Sequence, residues 1–494
     1  MEAYDLAILG GGPAGYLAAE RAAASGMRTA LFEAENIGGV CLNEGCIPTK
    51  VMLNTSKLLY YAKHGEAYGV VPAEKSLGAG FGINHTTVMA RKAKVIKTLV
   101  AGVRAKLKAS GADVFIGRAE INGRRDGRYI IAQNSGQDAG RQIEAAKILI
   151  ATGSAPIIPK IDGIGTISEN GFFLTSREAL SLPEIPKKLV IVGGGVIGLE
   201  LADYFNAAGS SVTIVELLGR IANPMDEGIS KILLANLKKR GVEFRLGARF
   251  IGAVQPDAGN AGTGGAVIIE NSGANAGGAA QESGANAGGQ VVRETLQADK
   301  VLLSIGRRPN ASGLGLEELG ACVERGAIIT DEYMRTNIPG VYAAGDVNGK
   351  IMLAHTAYRE ADCAVAHMLG KPEKMRYDII PSVIYTNPEA AGVGETEESA
   401  AAKGLDVKTV SLPMRYSGRY VAETEGGDGI CKIIFDKKNG AVAGVHMAGS
   451  YASEIILSAA FMIESRLPAD ALGRIVFPHP TVGEVMREAL REYM

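Results

Sequence analysis

One glycine pattern constrains this chain more than any other feature, and it occurs twice. Residues 4–9 read as a short buried strand. Gly10, Gly12 and Gly15 then form G-x-G-x-x-G, a helix of small residues runs to about Ser25, and a second strand, TALF, ends at Glu33. Residues 187–216, KKLVIVGGGVIGLELADYFNAAGSSVTIVE, repeat the unit with Gly193, Gly195 and Gly198 and end at Glu216. In such a unit the first glycine permits a tight turn and the second lets the backbone approach a pyrophosphate. The third lets helix and strand pack closely. Glu33 and Glu216 each follow their last glycine by 18 residues, where a carboxylate accepts hydrogen bonds from ribose hydroxyls. Two complete units predict two dinucleotides, the simplest pair being a flavin and a nicotinamide. Glu216 favours NAD over NADP, because a carboxylate binds the 2′-hydroxyl and repels a 2′-phosphate. Arg220, close by in sequence, is a cation able to soften that preference.

At 494 residues the chain is long enough for two to four domains of ordinary size. Its net charge of −1 supplies no basic field for nucleic acid or an anionic membrane. No apolar run approaches the roughly 18–20 residues of a membrane helix. The opening MEAYDLAILGGG enters a strand at once, without the marks of a secretory signal or transit peptide, so a cytoplasmic protein is expected.

The five cysteines are an odd count, and Cys322, Cys363 and Cys431 are scattered singly, unlike a secreted disulfide framework. Cys41 and Cys46 lie together in GGVCLNEGCIPTK, residues 38–50. Their C-x4-C spacing begins a plant-type iron–sulfur motif, but no C-x2-C follows. No Cys/His cluster has zinc spacing, so no metal is expected. A redox pair and two inert thiols remain. Gly45 gives the backbone freedom between the thiols, Ile47-Pro48 sets a stiff helix entry, and TKVMLNTSKLLYYA continues helically. Helix-terminal N–H groups and Lys50 would favour a thiolate, which points to the redox pair.

GGVCLNEGCIPTK resembles the active-site motif of the flavin-dependent pyridine nucleotide–disulfide oxidoreductases, and most of all that of the dihydrolipoyl dehydrogenase branch. The resemblance covers nearly the whole chain. ILIATGSAP (148–156) is similar to the return from the flavin domain, and LLSIGRRPN (302–310) to the exit from the nicotinamide domain. TNIPGVYAAGDV (336–347) resembles the second flavin fingerprint, and MLAHTAYREA (352–361) the helix that follows it. PSVIYTNPEAAGVGETE (381–397) and GVHMAGSYASEIILSAAFMIE (444–464) resemble the dimerisation domain, and FPHPTVGE (477–484) its catalytic end.

The resemblance implies an α/β fold with two Rossmann-like dinucleotide-binding domains, for FAD and NAD, and a C-terminal α+β dimerisation domain. Residues 1–152 would begin the FAD domain, 153–299 form the NAD domain, 300–375 complete the FAD or central domain, and 376–494 form the interface domain. Thr152, Gly153, Asp346 and Ala354 would join Gly10, Gly12, Gly15, Glu33 and Lys50 at FAD, with Asp346 on the ribityl chain. Glu200, the partner of Lys50, and Gly306 would join Gly193, Gly195, Gly198 and Glu216 on the NAD side. A Cys41–Cys46 disulfide would oxidise protein-bound dihydrolipoamide, with Cys41 as the interchange thiol and Cys46 nearer the flavin, and NAD⁺ would be reduced. His479, oriented by Glu484, would serve the thiols of the partner subunit in a homodimer. The implied partner is a lipoylated carrier protein or acyltransferase of a 2-oxoacid dehydrogenase or glycine cleavage system. Glutathione-type and mercuric reductases share the pattern. The former use NADPH and basic contacts where this chain has Glu216, and the latter carry a C-terminal cysteine pair. A flavoprotein scaffold acting mainly in protein interaction is the alternative from another class.

Two features depart from the pattern. Val40 and Glu44 stand where Thr and Val or a basic residue are expected, and Glu44 adds negative charge beside the thiols. Residues 255–292 are rich in Gly, Ala and Asn, with SGANAGG at 272–278 and again at 283–289. Such a composition buries too little apolar surface to order itself, so a flexible excursion between hairpin strands is expected. Removing roughly residues 258–289 would then change stability little. A last helix is expected to begin near Thr481.

Overall fold

The second half of strand Glu2–Leu9 is an unbroken apolar run, as a parallel strand covered on both faces must be, and Leu6, Ala7, Ile8 and Leu9 are buried. The computed structural model describes residues 1–71, 80–161, 164, 171–256, 264–271 and 292–494. They divide into two units. Residues 1–49, 89–157 and 306–377 form the first; residues 50–88, 158–305 and 378–494 form the second.

In the first unit Glu2–Leu9 pairs in parallel with Thr29–Glu33 on one side and Gln142–Ile150 on the other. Asp113–Ile116 extends the sheet beyond Thr29–Glu33. The far edge of Gln142–Ile150 is shared. Arg128–Gln133 runs antiparallel along its start, and Val341–Ala343 runs parallel along its end. Ala119–Arg125 closes the antiparallel side. The carboxyl end of Val341–Ala343 therefore lies beside those of Glu2–Leu9 and Gln142–Ile150, the sheet end where open α/β folds bind ligands. Helix Pro13–Ala24 buries Ala14, Gly15, Ala18, Ala19 and Ala22, side chains small enough to let it pack against helix Ala354–Met368.

The second unit repeats the design. Lys188–Val192 lies between Ser211–Glu216 and Lys300–Leu303, with Glu243–Leu246 and Phe173–Leu174 outside, and all neighbours are parallel. A three-stranded antiparallel sheet, Ala248–Val254, Gly265–Asn271 and Val292–Ala298, packs beside it. This corrects the expectation of a flexible excursion over 255–292. Its GAVIIEN stretch is the central strand of that sheet, with Val267 and Ile269 fully buried. The glycine-rich average of the window concealed a seven-residue strand built around the β-branched run Val267, Ile268 and Ile269. The two SGANAGG repeats lie outside the described residues.

The C-terminal sheet runs Ser382–Ile384, Ala390–Gly394, Val442–Ala448, Ile430–Asp436, Val407–Pro413, with all neighbours antiparallel. Helix Ala452–Ser465 packs on Ala390–Gly394 and Val442–Ala448, and helix Glu484–Tyr493 on the two strands at the other edge. Residues 158–299 and 378–494, expected in separate domains, lie in the second unit. Polar contacts tie them together. The buried carboxylate of Asp203 takes Arg240 Nη2 at 2.7 Å and the Asn387 backbone N–H at 2.9 Å. Lys432, buried in the C-terminal sheet, bonds Asp226 at 3.0 Å and Glu397 at 2.5 Å. Burial opposes the Lys432 charge, but those two carboxylates outweigh it and hold the ammonium above the usual lysine range. Among the described residues no helix is long and apolar enough to cross a membrane.

The strand at 265–271 makes a deletion informative. Removing residues 258–289 takes out buried Val267 and Ile269, each worth about 1.5–3 kcal/mol of burial. Thermal unfolding of the deleted protein should start several degrees lower than in the full chain. An unchanged melting temperature would show that the strand contributes nothing to the fold.

Candidate functional site

Both glycine loops are built to the same plan. Gly10 has φ +105°, and a Cβ there would meet the Ala151 carbonyl oxygen at 2.3 Å; Gly193 has φ +109° and would meet that of Ser304 at 2.4 Å. At Gly15 and Gly198 a Cβ would meet the carbonyl oxygens of Gly10 and Gly193 at 1.7 and 2.2 Å. These four glycines are required by the protein itself. The middle glycines are not. Gly12 and Gly195 have φ −73° and −80°, open to any residue. A Cβ on Gly12 would meet nothing nearer than Gly39 Cα at 3.9 Å, and one on Gly195 nothing within 4 Å. Each precedes a helix without a side-chain cap, so first-turn N–H groups lack a side-chain acceptor. An open cradle at an uncapped helix N-terminus fits a pyrophosphate.

The two carboxylates close the loops. Glu33 Oε2 accepts the Gly11 N–H at 2.6 Å while Oε1 accepts the Glu35 N–H at 2.7 Å. Glu216 Oε2 accepts the Gly194 N–H at 2.7 Å and Oε1 the Leu218 N–H at 2.7 Å. Each carboxylate is thus pinned at its strand end with lone pairs left for a ribose. Arg220 is engaged elsewhere, contrary to its expected role beside Glu216. It forms a two-pronged pair with Glu398, Nη2–Oε2 2.8 Å, and bonds Asn223 at 2.8 Å. Those hydrogen bonds to Glu398 raise it above the usual arginine range.

The thiol segment lies against the first loop. The Gly38 N–H donates to the Gly11 carbonyl at 2.9 Å, and a Cβ on Gly39 would meet Gly12 Cα at 2.7 Å. Cys41 sits in helix Gly39–Glu44 and Cys46 opens helix Cys46–Lys63; both are half-buried. Gly45 turns the chain between the helices, and a Cβ there would press on the Val40 carbonyl at 3.1 Å. Ile47 and Pro48 occupy the first helical turn, where a proline's missing N–H costs nothing.

ILIATGSAP and LLSIGRRPN meet as an antiparallel pair, Ser154–Pro156 with Arg307–Pro309. Thr152 and Gly153 are tied to Asn310, by Thr152 Oγ1 to its carbonyl at 2.7 Å and by its N–H to the Gly153 carbonyl at 2.9 Å. Gly153 and Gly306 both have positive φ, +70° and +122°. Asp346 accepts the Ser154 hydroxyl at 2.5 Å, and Arg307 bonds Ser154 Oγ and its carbonyl, both at 2.7 Å. Burial lowers Arg307 from the usual arginine range, while the charges of Asp346, Glu44 and Cys46 resist the shift. Ala354 begins the helix Ala354–Met368. On that helix Glu360, fully buried, accepts the Gly345 N–H at 2.5 Å and the Tyr377 hydroxyl at 2.6 Å, fixing the turn into Asp346. Burial, first of all, pushes its carboxyl above the usual range.

In the second unit Lys50 Nζ meets Glu200 Oε2 at 2.8 Å and Oε1 at 3.1 Å. Glu200 is buried and also accepts the Tyr385 N–H at 2.9 Å, and the Lys50 ammonium lies 4.3 Å over the Tyr385 ring. This is no ordinary surface pair. His479 Nδ1 stands 3.1 Å from both oxygens of Glu484. The Thr481 N–H and Arg487 also bind Glu484, at 3.0 Å each. The Thr481 N–H and then the His479 ring hold Glu484 below the usual carboxylate range. The last helix, Glu484–Tyr493, is entered through tight backbone turns that start at Thr481, and the Glu484 side chain binds back to the Thr481 N–H as in a capping box. The ring of His479 is 76% exposed and Glu484 4%. Among the described residues no group of three or more His, Cys, Asp or Glu side chains is placed to hold a metal.

Sequence reasoning missed Ser154, Arg307, Glu360 and Asp203. All four stand inside segments quoted above, so the residues were in view; what the segments do not show is the partner each one takes, such as Asp346 for Ser154 or Asn387 for Asp203.

Comparison with known proteins agrees with this layout. The model of the family described as pyridine nucleotide-disulphide oxidoreductase matches residues 4–361, and that of its dimerisation domain residues 380–490. The chain is 33% identical to a dihydrolipoyl dehydrogenase of Mycoplasma pneumoniae, over 99% of this chain and 98% of that one. It is 36% identical to a dihydrolipoyl dehydrogenase of Bacillus subtilis, over 98% and 97%. The structure of LpdA from Mycobacterium tuberculosis is similar over the whole of both chains, with TM-score 0.85 and 27% identity.

The two kinds of glycine should respond differently to a methyl group. Gly195→Ala should fold with an unchanged melting temperature yet weaken nicotinamide binding severalfold, read as a raised dissociation constant. Gly193→Ala should lose stability, because the Ser304 carbonyl stands in the way. Equal destabilisation by both would refute the assignment of Gly195 to a ligand.

Proposed function

Because the chain belongs to the pyridine nucleotide-disulphide oxidoreductase family, we propose that it is a dihydrolipoyl dehydrogenase. It oxidises protein-bound dihydrolipoamide to lipoamide and reduces NAD⁺ to NADH. FAD and NAD are its cofactors, a homodimer its working form, and the cytoplasm its location. The observation that carries this reading is the doubled loop. Two glycine turns, each closed by its own glutamate, share one chain with a half-buried thiol pair laid against the first of them.

The chain's own groups then have the following parts. Gly12 and Gly195 leave room for the two pyrophosphates, and Glu33 and Glu216 take ribose hydroxyls. Asp346, fixed by Ser154 and Glu360's hold on its turn, takes the ribityl chain. Lys50, held by buried Glu200, would offer a positive charge to the flavin. A substrate thiolate attacks Cys41 Sγ of the Cys41–Cys46 disulfide, the S–S bond breaks, and Cys46 leaves as thiolate. The second substrate thiol, deprotonated, attacks its own sulfur in the mixed disulfide, releasing lipoamide and the Cys41 thiolate. His479 of the partner subunit takes the substrate proton, and Glu484 fixes its tautomer and balances the imidazolium. FAD, when bound, supplies the chemistry that carries the electron pair from the reduced thiols to NAD⁺. Leu457, Phe461 and Val476 expose 57%, 66% and 90% of their surface in the C-terminal region, apolar area suited to a subunit interface. The other macromolecular partner is a lipoylated carrier protein or acyltransferase of a 2-oxoacid dehydrogenase or glycine cleavage system.

The assay is NADH-dependent lipoamide reduction together with its reverse. Activity should be clearly higher with NAD(H) than with NADP(H), and more so since Arg220 is committed to Glu398. Glu216→Gln should narrow the gap. A flavin-loaded dimer without lipoamide activity would sink the enzyme assignment, and equal use of both nicotinamides would defeat the role of Glu216.

A further inference from the structure

The chain between strand Ser211–Glu216 and helix Glu227–Lys239 curls round the second glycine loop. The Leu218 N–H donates to Glu216 Oε1 at 2.7 Å, and the Ala222 N–H donates to the Gly194 carbonyl at 2.8 Å. A Cβ on Gly194 would meet Ile221 Cγ2 at 3.1 Å and Glu216 Oε2 at 3.2 Å. Arg220 sits between these contacts, two residues from Leu218 and two from Ala222. Its Cα is therefore at most about 7 Å from either of theirs. An arginine there stands close to the carboxylate read as the ribose ligand, and its planar fork is the side chain that best matches a 2′-phosphate.

The fork is occupied. Nη1 bonds Glu398 Oε1, Nη2 bonds Glu398 Oε2 at 2.8 Å, and Nε and Nη2 bond Asn223 Oδ1 at 3.3 and 2.8 Å. Glu398 lies 178 residues further on and is held there by contacts of its own segment. It stands in the first turn of helix Glu397–Ala402, whose Thr396 cap accepts the Ser399 N–H at 3.0 Å. The Glu395 N–H bonds the Ala443 carbonyl at 2.9 Å, and Ala400 is fully buried. A second tie holds the two segments together. Buried Lys432 joins Asp226, six residues after Arg220, to Glu397, the residue before Glu398. The Arg220 side chain is 28% exposed and that of Glu398 50%, so the pair is partly solvated and a competing anion can displace it at modest cost.

We propose that Glu398 is a specificity-determining residue for the nicotinamide nucleotide. By holding the Arg220 fork it denies a 2′-phosphate its cation and leaves Glu216 alone to read the ribose. The inference rests on the reading of Glu216 as the ribose-binding acid. It places part of the discrimination in the C-terminal segment, outside the 187–216 unit that the sequence marks for the dinucleotide.

The test is titration calorimetry of the oxidised holoenzyme with NAD⁺ and with NADP⁺ at one salt concentration, which needs no turnover. Holding an exposed ion pair together is worth up to about fivefold in an equilibrium constant. Glu398→Ala should therefore tighten NADP⁺ binding about threefold to fivefold and leave NAD⁺ binding unchanged. Glu398→Gln, which still accepts a hydrogen bond, should act in the same direction by less. Against an Arg220→Met background, Glu398→Ala should give no gain. Melting temperature and flavin content report an intact fold; if Glu398→Ala does not fold, Glu398→Gln decides. An unchanged NADP⁺ constant in the Glu398 variants, an equal shift for both nucleotides, or a gain that survives the loss of Arg220 would overturn the proposal. An unmodified holoenzyme that binds no NAD⁺ would refute the nicotinamide reading itself, and the proposal with it.

Discussion

The close approach of one strand's end to its neighbour governs the rest of this structure. At Gly10 the backbone passes the Ala151 carbonyl with no room for a Cβ, and at Gly193 it passes Ser304 in the same way. That turn sends the chain directly into a helix packed on its own sheet. The next strand then delivers a carboxylate back to the loop, Glu33 to the Gly11 N–H and Glu216 to the Gly194 N–H. The position of each loop is thus fixed twice, by steric exclusion below and by a hydrogen bond above. In the first unit the thiol segment inherits its place from the same contact, through Gly39 against Gly12. A change to the turn would displace the dinucleotide cradle and the cysteines together.

Local pattern made much of this legible. Each glycine loop has a strand before it, a helix after it and a terminal acid, and all fall within one short window whose spacing has a single geometric meaning. The strand Gly265–Asn271 was obscured because its window averages the run Val267, Ile268 and Ile269 with glycine-rich flanks, and composition answers for the window and not for the run. The commitment of Arg220 to Glu398 could not be read, since the two are 178 residues apart. The same holds for Ser154 and Asp346, 192 apart, and for Lys50 and Glu200, 150 apart, where the pairing was anticipated through family resemblance and not through spacing. The entry to the last helix near Thr481 was legible locally, and there Glu484 binds back to the Thr481 N–H and to His479.

Charge placement separates two kinds of site. Around Asp203, Lys432 and Glu360 every partner is internal, and the groups serve to lock segments together; breaking such buried pairs costs about 3–5 kcal/mol. His479 is different. Its carboxylate partner is buried and held by the Thr481 N–H and Arg487, yet the ring itself faces outward. Apolar Val476, three residues before it, is almost wholly exposed in the single chain. Both facts fit a surface that is completed by a second copy.

The most direct measurement is subunit complementation. A Cys41→Ser chain and a His479→Ala chain, each inactive as a homodimer, are dissociated, mixed and reassociated. If thiols and imidazole come from opposite subunits, half the dimers are mixed and each carries one intact site, so about a quarter of native activity per total site should return. Heterodimers that form but show no activity would contradict the account, because the thiols and the histidine would then have to belong to one chain or to no common site.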